Sequence, residues 1–103
     1  MAEQHPFGEQ AEINDNLQLP NNDAERYIKN FDNGYSTSVI KNNMSYGGKQ
    51  GLYEIGVFYE EVLVEVPGVT EEGDSVRGWL DFEEVIELMN KIENLESKNA
   101  YIN

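Results

Sequence analysis

The residue types that most often carry catalytic chemistry are sparse in this chain of 103 residues. It contains no cysteine and one histidine, His5. Disulfides, thiolate catalysis and cysteine-based zinc sites are therefore excluded. Three serines of the central segment have no histidine near them in the sequence that could activate a hydroxyl. The sequence predicts no catalytic residue, no cofactor and no metal ligand, and we expect a protein that is not an enzyme.

Two patterns nevertheless resemble chemical sites. The loop from Tyr46 to Gly51 is rich in glycine, but it lacks the Gly-Lys-Ser/Thr ending of a phosphate-binding loop, and a strand follows it. Neighbouring carboxylates such as Glu60 and Glu61, or Glu71 and Glu72, point in different directions, whereas metal binding requires convergent ones. We interpret the first as a mobile loop with glycines at positive-φ positions and the acids as solvated. A carboxylate-bound metal enzyme is the third and least favoured alternative.

Charge is the most informative property of the sequence. Seven Lys and Arg residues stand against 20 Asp and Glu residues, which gives a net charge of −13. Such a chain cannot bind nucleic acid by neutralising phosphates, and an anionic lipid surface would repel it. No apolar run is long enough to span a bilayer. We therefore expect a cytoplasmic protein that contacts neither nucleic acid nor membrane directly.

The acids are concentrated in the second half of the chain, where residues 52–103 carry thirteen of them. B-DNA presents about one negative charge per 1.7 Å of its axis, so a rigid domain with spaced carboxylates could occupy a basic DNA-binding groove. The alternative is that the charge only keeps the protein soluble. The carboxylates that we predict to bind a partner are Glu71, Glu72, Asp74, Glu83, Glu84 and Glu87.

Three regions differ in composition. Residues 1–25 are acidic and contain few large apolar side chains, so we expect a mostly disordered arm. Residues 26–97 carry the strand and helix patterns of one folded domain, and we expect residues 98–103 to be a frayed tail. The arm should end near the turn residues 20–23.

Alternating and β-branched residues predict the strands. Residues 27–31 and 35–40 flank Asp32-Asn33-Gly34, which favours a hairpin turn. The run from Leu52 to Val66 is too long for one strand, so we predict a turn at Glu60-Glu61. Residues 75–80 are predicted to be an extended segment that leads into a helix.

The helix has the clearest signal. Asp81 fits the N-cap and Glu84 the third helical position, as in a capping box. Apolar residues recur at intervals of three and four from Val85 to Leu95, which predicts a helix from Phe82 to about Ser97. The predicted fold is α+β, with an antiparallel sheet of three to four strands packed against one C-terminal amphipathic helix.

Two aromatic residues outside the regular patterns are candidate anchors for a partner. Trp79 lies just before the helix, where a core position would anchor the helix to the sheet; that is the position we expect. At the surface it would instead be a binding anchor. Tyr46 in the glycine-bearing loop is the second candidate.

The segments Phe31-Asp32-Asn33-Gly34-Tyr35 and Ser45-Tyr46-Gly47-Gly48 together resemble a family of small acidic proteins encoded by tailed bacteriophages. The resemblance continues through Ser38-Val39-Ile40 and Gly51-Leu52-Tyr53-Glu54, covers residues 29–97 and leaves the arm unmatched. This sequence departs from the family pattern at Ser36, where we expect glycine, and at Gly56, where we expect alanine. It also lacks the Asp-Gly that we expect after Tyr59.

The resemblance implies a protein of the infected bacterial cell, of a kind that often binds and disables a host enzyme or defence protein. Our first hypothesis is a stoichiometric inhibitor that occupies a basic nucleic-acid-binding site. The second is an assembly accessory that oligomerises through an exposed sheet edge. The protein could be a monomer or a small homo-oligomer; a monomer would favour the inhibitor and a salt-insensitive oligomer the assembly role.

Overall fold

The predicted α+β fold is confirmed in the structure, a computed structural model that describes residues 5–10, 25–42 and 44–96. The strands are β1 (Glu9–Gln10), β2 (Glu25–Asn30), β3 (Tyr35–Lys41), β4 (Tyr53–Tyr59), β5 (Val62–Leu63) and β6 (Val76–Leu80). One helix, α1 (Phe82–Glu93), follows them. The predicted tail and most of the predicted arm lie outside the described residues.

The centre of the sheet is the antiparallel series β2-β3-β4. The predicted hairpin is confirmed, because β2 pairs with β3 from Glu25↔Lys41 to Asn30↔Ser36. Strand β3 alternates between buried and half-buried residues, so one of its faces belongs to the core. The core-facing residues of β3 are Tyr35, Thr37 and Val39.

The predicted turn at Glu60-Glu61 is also confirmed. Phe58 pairs with Leu63 and Tyr59 with Val62, so only two residues connect β4 to β5. Glu60 and Glu61 have φ values of 48° and 73°, as a two-residue hairpin of type I′ requires at both positions. Non-glycine residues adopt this conformation at a cost, and β5 is only two residues long.

The segment before the helix is extended, as predicted, and it also forms a strand of the sheet. Strand β6 pairs antiparallel with β4, where Val76 lies opposite Gly56 and Leu80 opposite Tyr53. Since β5 covers only the last two residues of β4, the rest of that edge is open, and β6 fills it. This pairing fixes the entry point of the helix.

Helix α1 begins as predicted and ends earlier. Asp81 accepts a hydrogen bond from the Glu84 amide at 2.8 Å, and Glu84 accepts one from the Asp81 amide at 2.9 Å. The helix ends at Glu93 rather than Ser97 because the turn between β2 and β3 closes its last turn. The Asn33 side chain donates to the carbonyl oxygens of Ile92 at 2.8 Å and Leu95 at 2.9 Å.

Residues 5–10 pack on the domain, although the sequence-based boundary left them in the arm. Strand β1 pairs with β2, and the Phe7 side chain is fully buried against the rings of Tyr27, Tyr53 and Phe82. A side chain at Gly8 would overlap the Ile28 carbonyl, so glycine allows this close approach.

The core lies between one face of the sheet and α1. Apolar residues of every long element contribute, and the helix supplies the residues that its predicted stripe contains. The fully buried side chains are Phe7, Thr37, Val39, Ile55, Val57, Val69, Leu80, Val85 and Ile92. The other face of the sheet has no helix on it among the described residues.

Candidate functional site

The six predicted partner-binding carboxylates lie on two elements, the loop before β6 and the first two turns of α1, and all six are exposed. Two of the six, Glu84 and Glu87, line a groove, and Glu71 of the loop approaches Arg77, which also lines it. This groove has a volume of about 130 Å³ and lies between β6 and α1. Its lining residues are Arg77, Leu80, Glu84, Glu87, Leu88 and Lys91.

Two cations lie inside this acidic surface. Arg77 on β6 approaches Glu71 of the loop, with 4.0 Å between its Nε and the carboxylate. Lys91 on α1 donates to the carbonyl oxygen of Gly68 at 3.5 Å. The groove is therefore a mixed-charge strip with acids on both sides, rather than an unbroken acidic face.

Three of the six carboxylates already have structural partners. Glu84 belongs to the capping box, and Asp74 accepts a hydrogen bond from the Ser75 amide at 2.7 Å. Glu71 faces Arg77. Substitution of Glu84 or Asp74 would therefore weaken the helix start or the loop as well as change the surface, whereas the exposed Glu71–Arg77 pair adds little stability.

The other three carboxylates have no structural partner among the described residues, and we call them the uncommitted acids. Glu72, Glu83 and Glu87 are exposed, and none forms a hydrogen bond or ion pair with another residue that the structure describes. Glu83 and Glu87 are four residues apart, so they lie on the same side of α1. These three side chains are free to meet a partner.

The expectation of a core position for Trp79 is wrong. The side chain is 59% exposed, and the neighbouring Leu80 takes the core position instead. Tyr46, the second predicted anchor, is also 59% exposed. The structure brings the two together, since the Trp79 amide donates to the Tyr46 carbonyl oxygen at 3.2 Å. We call Tyr46 and Trp79 the aromatic platform.

A polar cluster at the start of β2 was not anticipated from the sequence. Glu25 accepts hydrogen bonds from the Tyr27 hydroxyl at 2.8 Å and the Tyr53 hydroxyl at 3.4 Å, and Lys41 lies 2.9 Å away. Burial raises the pKa of the Glu25 carboxyl, but the hydrogen bonds and the Lys41 charge outweigh it and hold that pKa below its usual value. Burial raises the pKa of the Tyr53 hydroxyl the most, and the charge of Glu25 raises that pKa further.

The uncovered face of the sheet has a second groove, of about 150 Å³, which the sequence analysis also did not predict. Gly56 forms part of its lining, and a side chain there would contact Val76 and Leu63. The remaining lining residues are Ser38, Ile40, Glu54 and Phe58. The sequence did contain a signal for this groove. Ser36, Ser38 and Ile40 alternate along β3, so small polar residues and one apolar residue share the face that is turned away from the core.

Within the described ranges, no three histidine, cysteine or acidic side chains converge as ligands for a metal ion. The helix that the structure describes is too short and too polar to cross a membrane. Comparisons with protein-family models, with curated proteins and with solved structures find no match to this chain.

Proposed function

We propose that this chain is a phage-encoded inhibitor that binds a host or bacterial-defence protein stoichiometrically and occupies its basic nucleic-acid-binding site. The observation that carries the proposal is the excess of exposed carboxylates between Glu65 and Glu93. Nine exposed acids in this range stand against two cations, Arg77 and Lys91. This density of charge on a small rigid domain is what a basic groove recognises in nucleic acid.

The arrangement of the acids supports a surface role. Among the uncommitted acids, Glu87 lines the groove between β6 and α1, and the start of that helix is fixed by β6 and by the capping box. Fixed charges attract a basic partner over a distance and accelerate its association. Binding of this kind weakens as salt rises, because dissolved ions screen the attraction between exposed charges.

The phage origin is supported by the resemblance in the segments around Phe31–Tyr35 and Ser45–Gly48. Small acidic phage proteins without catalytic motifs often act by binding a host protein. The proposal assigns no catalytic step to the chain and requires no cofactor. Its partner is a protein with a basic surface, not nucleic acid or a membrane.

A matched pair of triple variants tests the proposal. The first is Glu72→Lys, Glu83→Lys, Glu87→Lys, which reverses the uncommitted acids and leaves Glu84 in its capping box. The control is Glu60→Lys, Glu61→Lys, Glu96→Lys, with the same change in net charge. Glu60 and Glu61 lie at the end of β4 that is opposite to the start of α1, about 20 Å along the strand.

Each protein is immobilised and exposed to a bacterial lysate, and bound proteins are eluted first with a 20-base-pair DNA duplex and then with salt. We expect the unaltered protein and the control to retain a protein that the duplex displaces. The first variant should lose it. Equal retention by both variants, or a bound protein that neither duplex nor salt displaces, would contradict the proposal.

A role in assembly through the sheet edge is the second candidate. It is favoured by the exposed apolar side chains of β5, because Val62 is 64% and Leu63 52% exposed. These residues adjoin the groove on the uncovered face of the sheet. Sedimentation at micromolar concentration separates the two candidates, since a salt-insensitive oligomer that Leu63→Lys dissociates would favour assembly. A monomer at every salt concentration would count against it.

A further inference from the structure

The aromatic platform is built on an irregularity in the sheet. Between the pairs Tyr53↔Leu80 and Ile55↔Arg77, β4 has one intervening residue and β6 has two, Gly78 and Trp79. This is a β-bulge, which changes the direction of a side chain at a chosen point of an edge strand. Here it directs Trp79 to solvent while Leu80 remains in the core.

Holding Trp79 in this position costs free energy. Its φ is +62°, a left-handed conformation that is unfavourable for a non-glycine residue. Contacts with the loop enforce it. The Trp79 amide bonds to the Tyr46 carbonyl oxygen, and Gly78 lies so close to Tyr46 that a side chain there would overlap the tyrosine Cβ.

No packing gain at Trp79 compensates for the strain of its left-handed backbone conformation. A bulge with glycine at this position would be less strained, and an exposed tryptophan buries little apolar surface in the free protein. Strained residues that expose a large aromatic ring are typical of binding sites. Tyr46 and Met44 of the neighbouring loop are exposed as well, at 59% and 79%.

The charge around the platform indicates the chemistry of its partner. Glu54 lies opposite the bulge, and its carboxylate accepts a hydrogen bond from the Tyr46 amide at 3.0 Å. Asp81 follows Trp79 by two residues and is exposed. Lys49 is the nearby cation of the loop. Aromatic rings next to carboxylates attract a planar cation, and the arginine guanidinium stacks on indole better than the lysine ammonium does.

We propose that the aromatic platform of Tyr46 and Trp79 stacks against an arginine side chain of a protein partner, while Glu54 and Asp81 keep their hydrogen bonds and attract the cation through their charge. This inference rests on the proposed function, because it names the residue of the basic surface that the platform recognises. The uncommitted acids of the loop and of α1 then provide long-range attraction, and the platform provides the preference for arginine over lysine.

Trp79 is the only tryptophan of the chain, so its fluorescence reports on this site alone. The probes are nona-arginine and nona-lysine peptides, which carry equal charge. Affinities are measured by tryptophan fluorescence for the unaltered protein. Calorimetry gives them for that protein, Trp79→Ala and the control Leu63→Ala, which removes an exposed apolar side chain elsewhere. Thermal unfolding of each variant verifies that it is folded.

We expect nona-arginine to bind the unaltered protein and Leu63→Ala about 3- to 10-fold more tightly than nona-lysine, as a few exposed cation–π contacts would produce. In Trp79→Ala the ratio should fall to about one while the affinity for nona-lysine is unchanged. Equal affinities for the two peptides in the unaltered protein, or a ratio that Trp79→Ala leaves intact, would overturn the inference.

The charge variant separates this result from a failure of the proposed function. Glu72→Lys, Glu83→Lys, Glu87→Lys should weaken both peptides alike and leave the arginine preference unchanged. An arginine preference with no protein captured from the lysate would refute the inhibitor and retain the platform. Capture of a protein without an arginine preference would refute the platform and retain the inhibitor.

Discussion

Replacing Thr37 with valine is expected to stabilise the protein. Thr37 lies at the centre of β3 on the core face and is fully buried. Its hydroxyl has no hydrogen-bond partner among the residues that the structure describes. A buried hydroxyl without a partner loses its hydrogen bonds to water and gains none in return.

The magnitude follows from this lost hydration. An unsatisfied buried polar group costs about 1–3 kcal/mol, and valine replaces the hydroxyl with a methyl group of nearly the same size. We therefore expect Thr37→Val to raise the free energy of unfolding by about 1–2 kcal/mol. For a domain of this size each kcal/mol corresponds to a shift in Tm of about 4–8 °C.

Thr70 provides the matched control. It is also buried, at 6% exposure, but its hydroxyl accepts a hydrogen bond from the Val66 amide at 3.0 Å. The same substitution, Thr70→Val, leaves that amide without its partner and should lower the free energy of unfolding by about 1–2 kcal/mol. Urea and thermal unfolding followed by circular dichroism measure both. A Thr37→Val protein no more stable than the parent would refute the reasoning.

Three further substitutions test other contacts. Phe7→Ala should lower the free energy of unfolding by about 3–5 kcal/mol in urea, because it empties a fully buried position; a change below 1 kcal/mol would remove residues 5–10 from the core. Asn33→Asp should lower Tm by at least about 5 °C, because it deletes the donor to the Ile92 and Leu95 carbonyls and places a negative charge at the helix C-terminus; an unchanged Tm would contradict this cap. The Glu25 carboxyl has a lowered pKa in the folded protein, so its contribution to stability is full above the ordinary value of 4.5 and is lost as the pH falls through the lowered one. Glu25→Gln should therefore flatten the loss of Tm between about pH 5 and pH 3, and a parallel pH profile would refute the assignment.

Local signals account for the features that the sequence predicted correctly. The capping box needs only Asp81 and Glu84 three residues apart, and the Glu60-Glu61 turn follows from the length of the apolar run around it. Each depends on residues close in the chain. The fold class follows from these elements, because one amphipathic helix and a few antiparallel strands have few ways to bury their apolar faces.

Contacts between distant segments account for what the sequence did not predict. Phe7 is the one buried apolar residue of a polar stretch, and the rings that enclose it belong to β2, β4 and α1. The early end of the helix depends on Asn33, about 60 residues away in the chain. The hydrophobicity of Trp79 predicted that its side chain would be buried. In the pairing of β6 with β4, however, two residues of β6 lie opposite one residue of β4, and the resulting bulge exposes Trp79.

The acidic residues also fall into two groups, those that stabilise the fold and those that have no structural partner. Several acids that contribute to the net charge also serve the fold: Asp81 and Glu84 start the helix, and Glu65 accepts a hydrogen bond from the Gly73 amide. Net charge alone therefore overstates the charge available to a partner. The hypothesis of nucleic-acid mimicry depends on acids without such partners, above all Glu72 and Glu87, because only these can exchange water for a basic side chain without loosening a helix or a loop. A partner that binds this surface should for that reason be sensitive to charge reversal at the uncommitted acids and to the duplex DNA with which they would compete.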